Sequence, residues 1–491
     1  MKTKVTGAFV IGFDGKDHVI YKDGEVVYEE NQIVFVGHDY PAPVDQVIDG
    51  GQAIISPGFI DLDALADIDH AIIDTWNTPE TDAGLQWSAD YFTNRRRDVF
   101  TLEEEIFKRR YALVQLILNG VTTAMPIAAE THKGWAEGYE EFAAVADVAA
   151  ELGLRMYLGP SYRSGINVVQ HDGTRDVLWD EAQGLDGLAE AVRFVHDFDG
   201  AHAGLIRGCL LPCRIETVTV DLLRRTKQVA DELNCHVRLH CLQGLQEARF
   251  LRTWYDQTPL ELLAQVELLG PRMLIPHAIY IGGHSETQEP YRGELELLAA
   301  TGTSIIHCPL TSIRYANALE SFDRYRRAGV NIALGTDSFP PDFIRVMDYG
   351  NNVAKLIEHQ KSAGAAADYF RAATLGGAKA LGRDDLGRLA TGAKADLIIV
   401  DLSHLRTGPI DDPIRTLLMN TGGAYVRTVI INGRTVMANG QIPGVDFADL
   451  KVRGQAYFDK MKAAYTERDG SRRPLEELFP PSFRTIERVA Q

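Results

Sequence analysis

Four polar side chains each close an apolar run: His240 after "HVRL", His277 after "MLIP", His307 after "TSII" and Asp337 after "NIALGT". One histidine at a strand end is more often a hydrogen-bonded core residue than a ligand. Three histidines and an aspartate, all placed alike behind apolar runs, point to a shared site. Imidazole and carboxylate suit a borderline divalent ion such as Zn²⁺, Fe²⁺ or Co²⁺, which lowers the pKa of water towards neutrality. The same groups would serve a purely polar pocket equally well. A further stretch, "ISPGFIDLDALADIDH" at 55–70, sets Asp61, Asp63, Asp67 and Asp69 at and beyond another strand end. Asp67, Asp69 and His70 would join the site if the strand ended in a bulge; they read first as the start of a loop, with acids that are solvated or cap a turn.

Such residues meet only if their strands are neighbours. From about residue 100, helix and strand alternate along the chain. "TLEEEIFKRRYALVQLILNG" has a cap at Thr101, helically spaced apolar residues and a stop at Gly120, and "VTTAMPI" follows as a strand. "EEFAAVADVAAELG" with "LRMYLGPS", "TVDLLRRTKQVADELN" with "HVRLHCL" and "NALESFDRYRRAG" with "VNIALGTDS" repeat the rhythm. Strands apolar on both faces between amphipathic helices indicate a parallel sheet with crossover helices. About eight such units predict a (β/α)8 TIM-like barrel, an α/β fold whose functional groups stand at the C-terminal strand ends. Both chain ends carry short, turn-punctuated β signals instead, as in "VRTVIINGRTVMANGQI". The expected organisation is a small composite β-sandwich domain from residues 1–56 and 395–445, the barrel over 57–394, and a C-terminal helix and tail over 446–491.

Composition narrows the function. A chain of 491 residues with 45% hydrophobic and 24% charged residues can bury a large core. The net charge of −18 excludes a polyanion partner, since phosphate binding needs clustered Lys and Arg. The basic run "NRRRDVF" at 94–100 reads as a solvated loop or a lid facing substrate. No run of about 18 apolar residues exists to span a membrane, and the N-terminal stretch does not read as a signal peptide. Cys209, Cys213, Cys235, Cys241 and Cys308, with no CxxC pair, read as reduced buried thiols in the cytoplasm.

The order "ISPGFID", "LHCLQG", "PHAIYI", "IIHCPLTS", "AGVNIALGTDS", "ATLGGAKALGRDDLGRLATGAKADLIIVDL" and "VIINGRTV" resembles the amidohydrolase superfamily over nearly the whole chain. The nearest branch is the cytosine deaminase, chlorohydrolase and triazine hydrolase group. The resemblance implies a hydrolase of C–N bonds in a small, heterocyclic molecule, acting by deamination or by amide or ring opening. His240 then matches the strand-five metal ligand, and His277 the strand-six histidine that assists water or substrate. Asp337 matches the strand-eight aspartate that binds metal or takes a proton, and His307 a structural or pocket-lining histidine.

The departures fall at the centre of that chemistry. Where the family has His-x-His after strand one, this chain has Asp63, Ala64 and Leu65. Strand alternation turns Asp63 and Leu65 inward, and leucine cannot bind a metal. The family's His-x-x-Glu reads "HCLQ", so Gln243 replaces the proton-shuttling Glu, and an amide carries no proton at neutral pH. Cys213 falls where a strand-four histidine is frequent. Three readings follow. A single Zn or Fe ion is held by His240, His277 and Asp337 with Asp63, beside the substrate contacts Gln243, His307, Arg163 and Cys213. Or the same His and Asp residues work by acid–base chemistry without a metal, helped by an electrostatic clamp from Arg163 or the 94–97 run. Or the protein binds a small molecule without turning it over. Partners beyond a small-molecule substrate are not expected, apart from further copies of the chain.

Overall fold

The computed structural model describes residues 1–78 and 87–486; the last residues of the expected tail, 487–491, lie outside the described residues. Eight parallel strands follow in chain order: β1 Phe59–Ala64, β2 Val121–Pro126, β3 Arg155–Leu158, β4 Ile206–Pro212, β5 His236–Arg238, β6 Met273–Pro276, β7 Ser304–His307 and β8 Asn331–Leu334. Each pairs with the next, and β8 returns to β1 through Leu334 and Asp61, closing the barrel. Ile60, Leu62, Met125, Tyr157, Leu211, Leu274 and Ile306 form one apolar cluster drawn from strands on every side. A larger cluster unites strand residues such as Phe59 with helix residues such as Leu113, Phe142 and Leu222. Burying a side chain of this size is worth about 1.5–3 kcal/mol.

Local signals set the helices. Leu102–Leu118 begins in a reciprocal capping box between Thr101 and Glu104, which satisfies two otherwise orphaned backbone N–H groups. Tyr139–Leu152 ends at Gly153 with φ 80°, a left-handed conformation that glycine adopts without steric cost. Pro259–Gln265 repeats the capping box with Thr258 and Glu261.

The two chain ends share one sheet. Its order is Arg434–Ala438, Val426–Ile431, Leu397–Asp401, Ala53–Pro57, Lys2–Phe13, His18–Glu29 and Gln32–Gly37, with Gln46–Asp49 also paired to Lys2–Phe13. The junction is Ala53–Pro57 against Leu397–Asp401, antiparallel from Leu397 opposite Pro57 to Asp401 opposite Ala53. Arg155 on β3 is bound to the barrel's far neighbour Asp396, with bonds of 3.0–3.2 Å between buried groups. The helix Phe447–Ala463 lies against Leu102–Leu118, where Lys460 reaches Glu104 at 2.7 Å. Among the described residues, no helix is long and apolar enough to cross a membrane.

Candidate active site

A cavity of about 690 Å³ opens at the C-terminal ends of the strands. That volume is typical of a small-molecule site. Asp63 at the end of β1 and His240 just beyond β5 approach to 3.4 Å between Oδ2 and Nε2. His277, just beyond β6, holds its Nε2 at 3.9 Å from both Asp63 Oδ2 and Asp337 Oδ2. His240 Nδ1 lies 3.2 Å from the Cys213 carbonyl, so donation of Nδ1–H there leaves the Nε2 lone pair facing Asp63. Both ring nitrogens of His277 are buried without a hydrogen-bond partner. His277 and Asp337 stand at φ 70° and 58°, left-handed values costly for side-chain-bearing residues and frequent at functional sites.

This donor set fits a divalent ion. Ligand atoms of Asp63, His240 and His277 lie within 4.8 Å of one another, as do those of His277, Cys308 and Asp337. Neighbouring ligands about 2.1 Å from a tetrahedral ion stand roughly 3.4 Å apart, close to the separations found. Two imidazole nitrogens and carboxylate oxygens are the donors zinc and iron accept, and the unpartnered His277 ring needs a partner that no protein group supplies.

Electrostatics divide the two aspartates. Burial disfavours charge on Asp63, but His240, then Arg238 and His277, outweigh it and hold its carboxyl well below the usual range. Arg238 reaches Asp63 Oδ1 at 3.3 Å and is fixed by the carbonyls of Met125 and Pro126. Asp337 is pushed well above the usual range by burial and by the charges of Asp63 and Asp69.

The walls hold most of the other expected residues. Gln243, Cys213 and Arg163 line the cavity. Gln243 Oε1 accepts from Arg214, and its backbone N–H donates to Glu247 at 3.2 Å. Glu247 is pushed up to about 8 by burial and by Glu216. Arg163 is already engaged by the Trp135 carbonyl and by Glu130 at 3.5 Å, so its charge is matched rather than spare. His307 does not line the cavity: it packs near Phe322 and Tyr369, and burial lowers its pKa to about 3. Of the two roles expected for it, structural or pocket-lining, this position accords with the structural one, and the substrate contact is not formed at this cavity.

Two further corrections concern the β1 region and the basic run. The β1–β2 register shifts between Asp61 and Ala64, and Leu65 joins the large apolar cluster instead of facing the cavity. A bulge breaks the two-residue alternation on which its inward placement rested. The basic run offers no spare clamp: Arg95 pairs with Asp90, Arg97 with Glu467, and Arg96 stacks over Trp135.

The comparisons with known proteins decide the family. Residues 104–436 match the model of the Amidohydrolase family. The chain belongs to the amidohydrolase family. It is thereby an amidohydrolase-type hydrolase of carbon–nitrogen bonds outside peptides. A 5-methylthioadenosine/S-adenosylhomocysteine deaminase of Pyrococcus abyssi is 25% identical over 441 residues, spanning 88% of this chain and 93% of that protein. An adenosine deaminase of Xanthomonas campestris, solved with bound zinc, superposes with a TM-score of 0.76 at 21% identity, covering 94% of this chain and 98% of that one. An atrazine chlorohydrolase of Arthrobacter aurescens, complexed with zinc, gives 0.76 at 22% identity, covering 92% and 99%.

Within this amidohydrolase, several residues in or behind the cavity wall were left unassigned by the sequence reading. Arg238 had a usable signal, because it stands two residues before His240 and so faces the same side of β5. Arg214 and Glu216 follow β4 at its C-terminal end, the part of each unit where barrel sites are built. Asp67 and Asp69 cap the turn as expected, accepting from the backbone N–H groups of Asp69 and of His70, while Asp69 and His70 also line the cavity. Asp67 is turned inward too, 3.7 Å from the buried Lys108.

Proposed function

We propose that this amidohydrolase removes an amino group from a small heterocycle by water addition, with an adenosine-type purine nucleoside as the first substrate class to test. The observation that carries the reading is the cluster of Asp63, His240, His277 and Asp337, of which His240 and Asp337 line the cavity while Asp63 and His277 lie buried behind them. The substrate class rests on the relatives, which are deaminases of adenosine derivatives. Asp63, His240 and His277, with Asp337 adjacent, would hold one divalent ion, zinc or iron by donor type. Such an ion supplies a Lewis acid and lowers the pKa of water.

The chain's own groups do the rest. Asp337, whose proton affinity is raised by burial and by Asp63 and Asp69, takes the proton of the attacking water. His277, kept neutral by burial and by His240, would serve behind the cavity wall as a holder of that ion, its Nε2 3.9 Å from both Asp63 and Asp337. Gln243, held by Arg214, offers its amide N–H groups to a ring nitrogen or hydroxyl of the substrate, with Cys213 and Arg163 beside it. A metal-free variant of the same chemistry is favoured by one observation, the Arg238 guanidinium 3.3 Å from Asp63, which already supplies a counter-charge. A cytoplasmic location accords with five free, buried cysteines.

The test is ammonia release from a panel of adenosine, 5′-deoxyadenosine and 5-methylthioadenosine. Turnover by the wild type, reduced at least 10³-fold in His240→Ala and in Asp337→Ala with unchanged melting, is expected. Equal turnover in both variants would remove these residues from the mechanism.

A further inference from the structure

The substitution of Gln243 for the expected Glu leaves the proposed deamination without an obvious group to protonate the departing nitrogen. The loop after β1 supplies one. His70 and Asp74 both line the cavity that holds Asp337. His70 Nε2 lies 3.3 Å from Asp74 Oδ2, and the imidazole keeps 30% of its side-chain surface accessible. Tyr315 donates to the other oxygen of Asp74 at 2.7 Å, fixing the carboxylate that fixes the ring. With Nε2–H given to Asp74, Nδ1, which lies 3.9 Å from Asp69 Oδ1 and beyond hydrogen-bond distance of it, is the nitrogen left to exchange a proton in the cavity.

The loop is pinned to the β8 end that carries Asp337. Asp69, at φ 57°, accepts the backbone N–H of His70 at 2.8 Å through one oxygen and that of Phe339 at 2.7 Å through the other. Asp337 in turn donates its backbone N–H to the Asp63 carbonyl at 2.7 Å. His70 and Asp337 are thus held in a fixed relation by one short chain of bonds.

We propose that His70, oriented by Asp74 and Tyr315, is the general acid–base group that delivers the proton to the leaving nitrogen, in the role Gln243 cannot fill. This assignment rests on the C–N hydrolase reading above. In the balanced step, water oxygen bonds to the ring carbon and one water proton passes to Asp337. The C–N bond breaks with its electron pair going to nitrogen, which takes a proton from His70 and departs as ammonia. The proton on Asp337 then returns His70 to its starting state.

The charges around the ring support the protonated starting state. Burial opposes it, but Asp74, then Asp69, Asp67 and Asp337, raise the pKa above the ordinary value of 6.5. Among the described residues, the other charged or titratable groups facing this loop include Tyr315, with Tyr465 and His132 from the segments packed over it, Lys108, bound to Asp67, and Arg109, bonded to the Ala66 carbonyl.

The test combines kinetics with histidine NMR on the full chain. With whichever purine nucleoside the panel shows to be turned over, His70→Gln should lower kcat about 10²–10⁴-fold while leaving KM and metal content little changed. The alkaline limb of the pH profile should vanish in His70→Gln and move to lower pH in Asp74→Asn. A kcat within threefold of wild type in His70→Gln would overturn the assignment. If the wild type deaminates nothing in the panel, the substrate reading fails by itself and the ¹³C-labelled His70 resonance decides. A titration above that of free histidine that falls in Asp74→Asn supports a cavity-facing base held by its carboxylate. A titration unmoved by that change overturns it.

Discussion

At the scale of single residues, Asp63 sets a buried charge at the end of β1, and Arg238 answers it. Arg238 lies wholly buried, bonded to two backbone carbonyls and 3.3 Å from Asp63. Removing one member of a buried pair typically costs about 3–5 kcal/mol, because the other charge is left without a partner. Arg238→Met in metal-depleted protein should therefore lower unfolding stability by about that amount in urea titrations. Addition of Asp63→Asn should restore most of it. A single-variant loss of under about 1 kcal/mol would show that the pair is not what steadies Asp63. His240, His277 and Asp337 were legible because each follows a strong apolar run, and Asp63 through the family resemblance, which sets it where His-x-His is expected. The sequence offered Asp69 and His70 only on the condition of a bulge at the strand end and gave no sign of Asp74, since spacing alone cannot show that an acidic loop folds inwards over a cavity. It left His307, a histidine at a strand end that packs beside Tyr369, between a structural and a pocket-lining role, for want of any sign of which way the ring turns.

At the scale of elements, a helix start was readable to the residue where a side chain does the capping, as at Thr101. The end of β1 was not, because a bulge has no reliable sequence mark, and the inward placement of Leu65 failed with it. The strand His18–Glu29 meets the barrel through His18, whose Nε2 lies 2.9 Å from the Thr374 hydroxyl and whose ring sits edge-on to Phe370 at 5.0 Å. Burial lowers its pKa from 6.5 to about 4. Between those values the unfolded chain binds a proton that the folded one refuses, so this contribution is complete above pH 6.5 and lost as pH falls towards 4. From pH 7 to pH 5 the wild type should lose about 1–2 kcal/mol more stability than His18→Gln in parallel urea titrations. Matching slopes for the two proteins would remove His18 from the acid response.

At the scale of the whole molecule, one chain closes on itself twice, once when β8 meets β1 and once when Leu397–Asp401 meets Ala53–Pro57. The rhythm of helix and strand announced the barrel, and the turn-rich ends announced a second unit. Neither told that Tyr465, from the C-terminal segment, would line the cavity, because that contact joins residues hundreds apart in sequence. Closure is what brings four strand ends around one cavity, and the claim that this assembles a single ion site from Asp63 and two histidines is open to direct measurement. Elemental analysis of protein expressed with zinc, iron, manganese and cobalt supplied should find about one divalent ion per chain. That ion should be lost in Asp63→Ala and in His240→Ala while both remain folded. Wild-type protein without stoichiometric metal, or variants that keep it in full, would contradict the account.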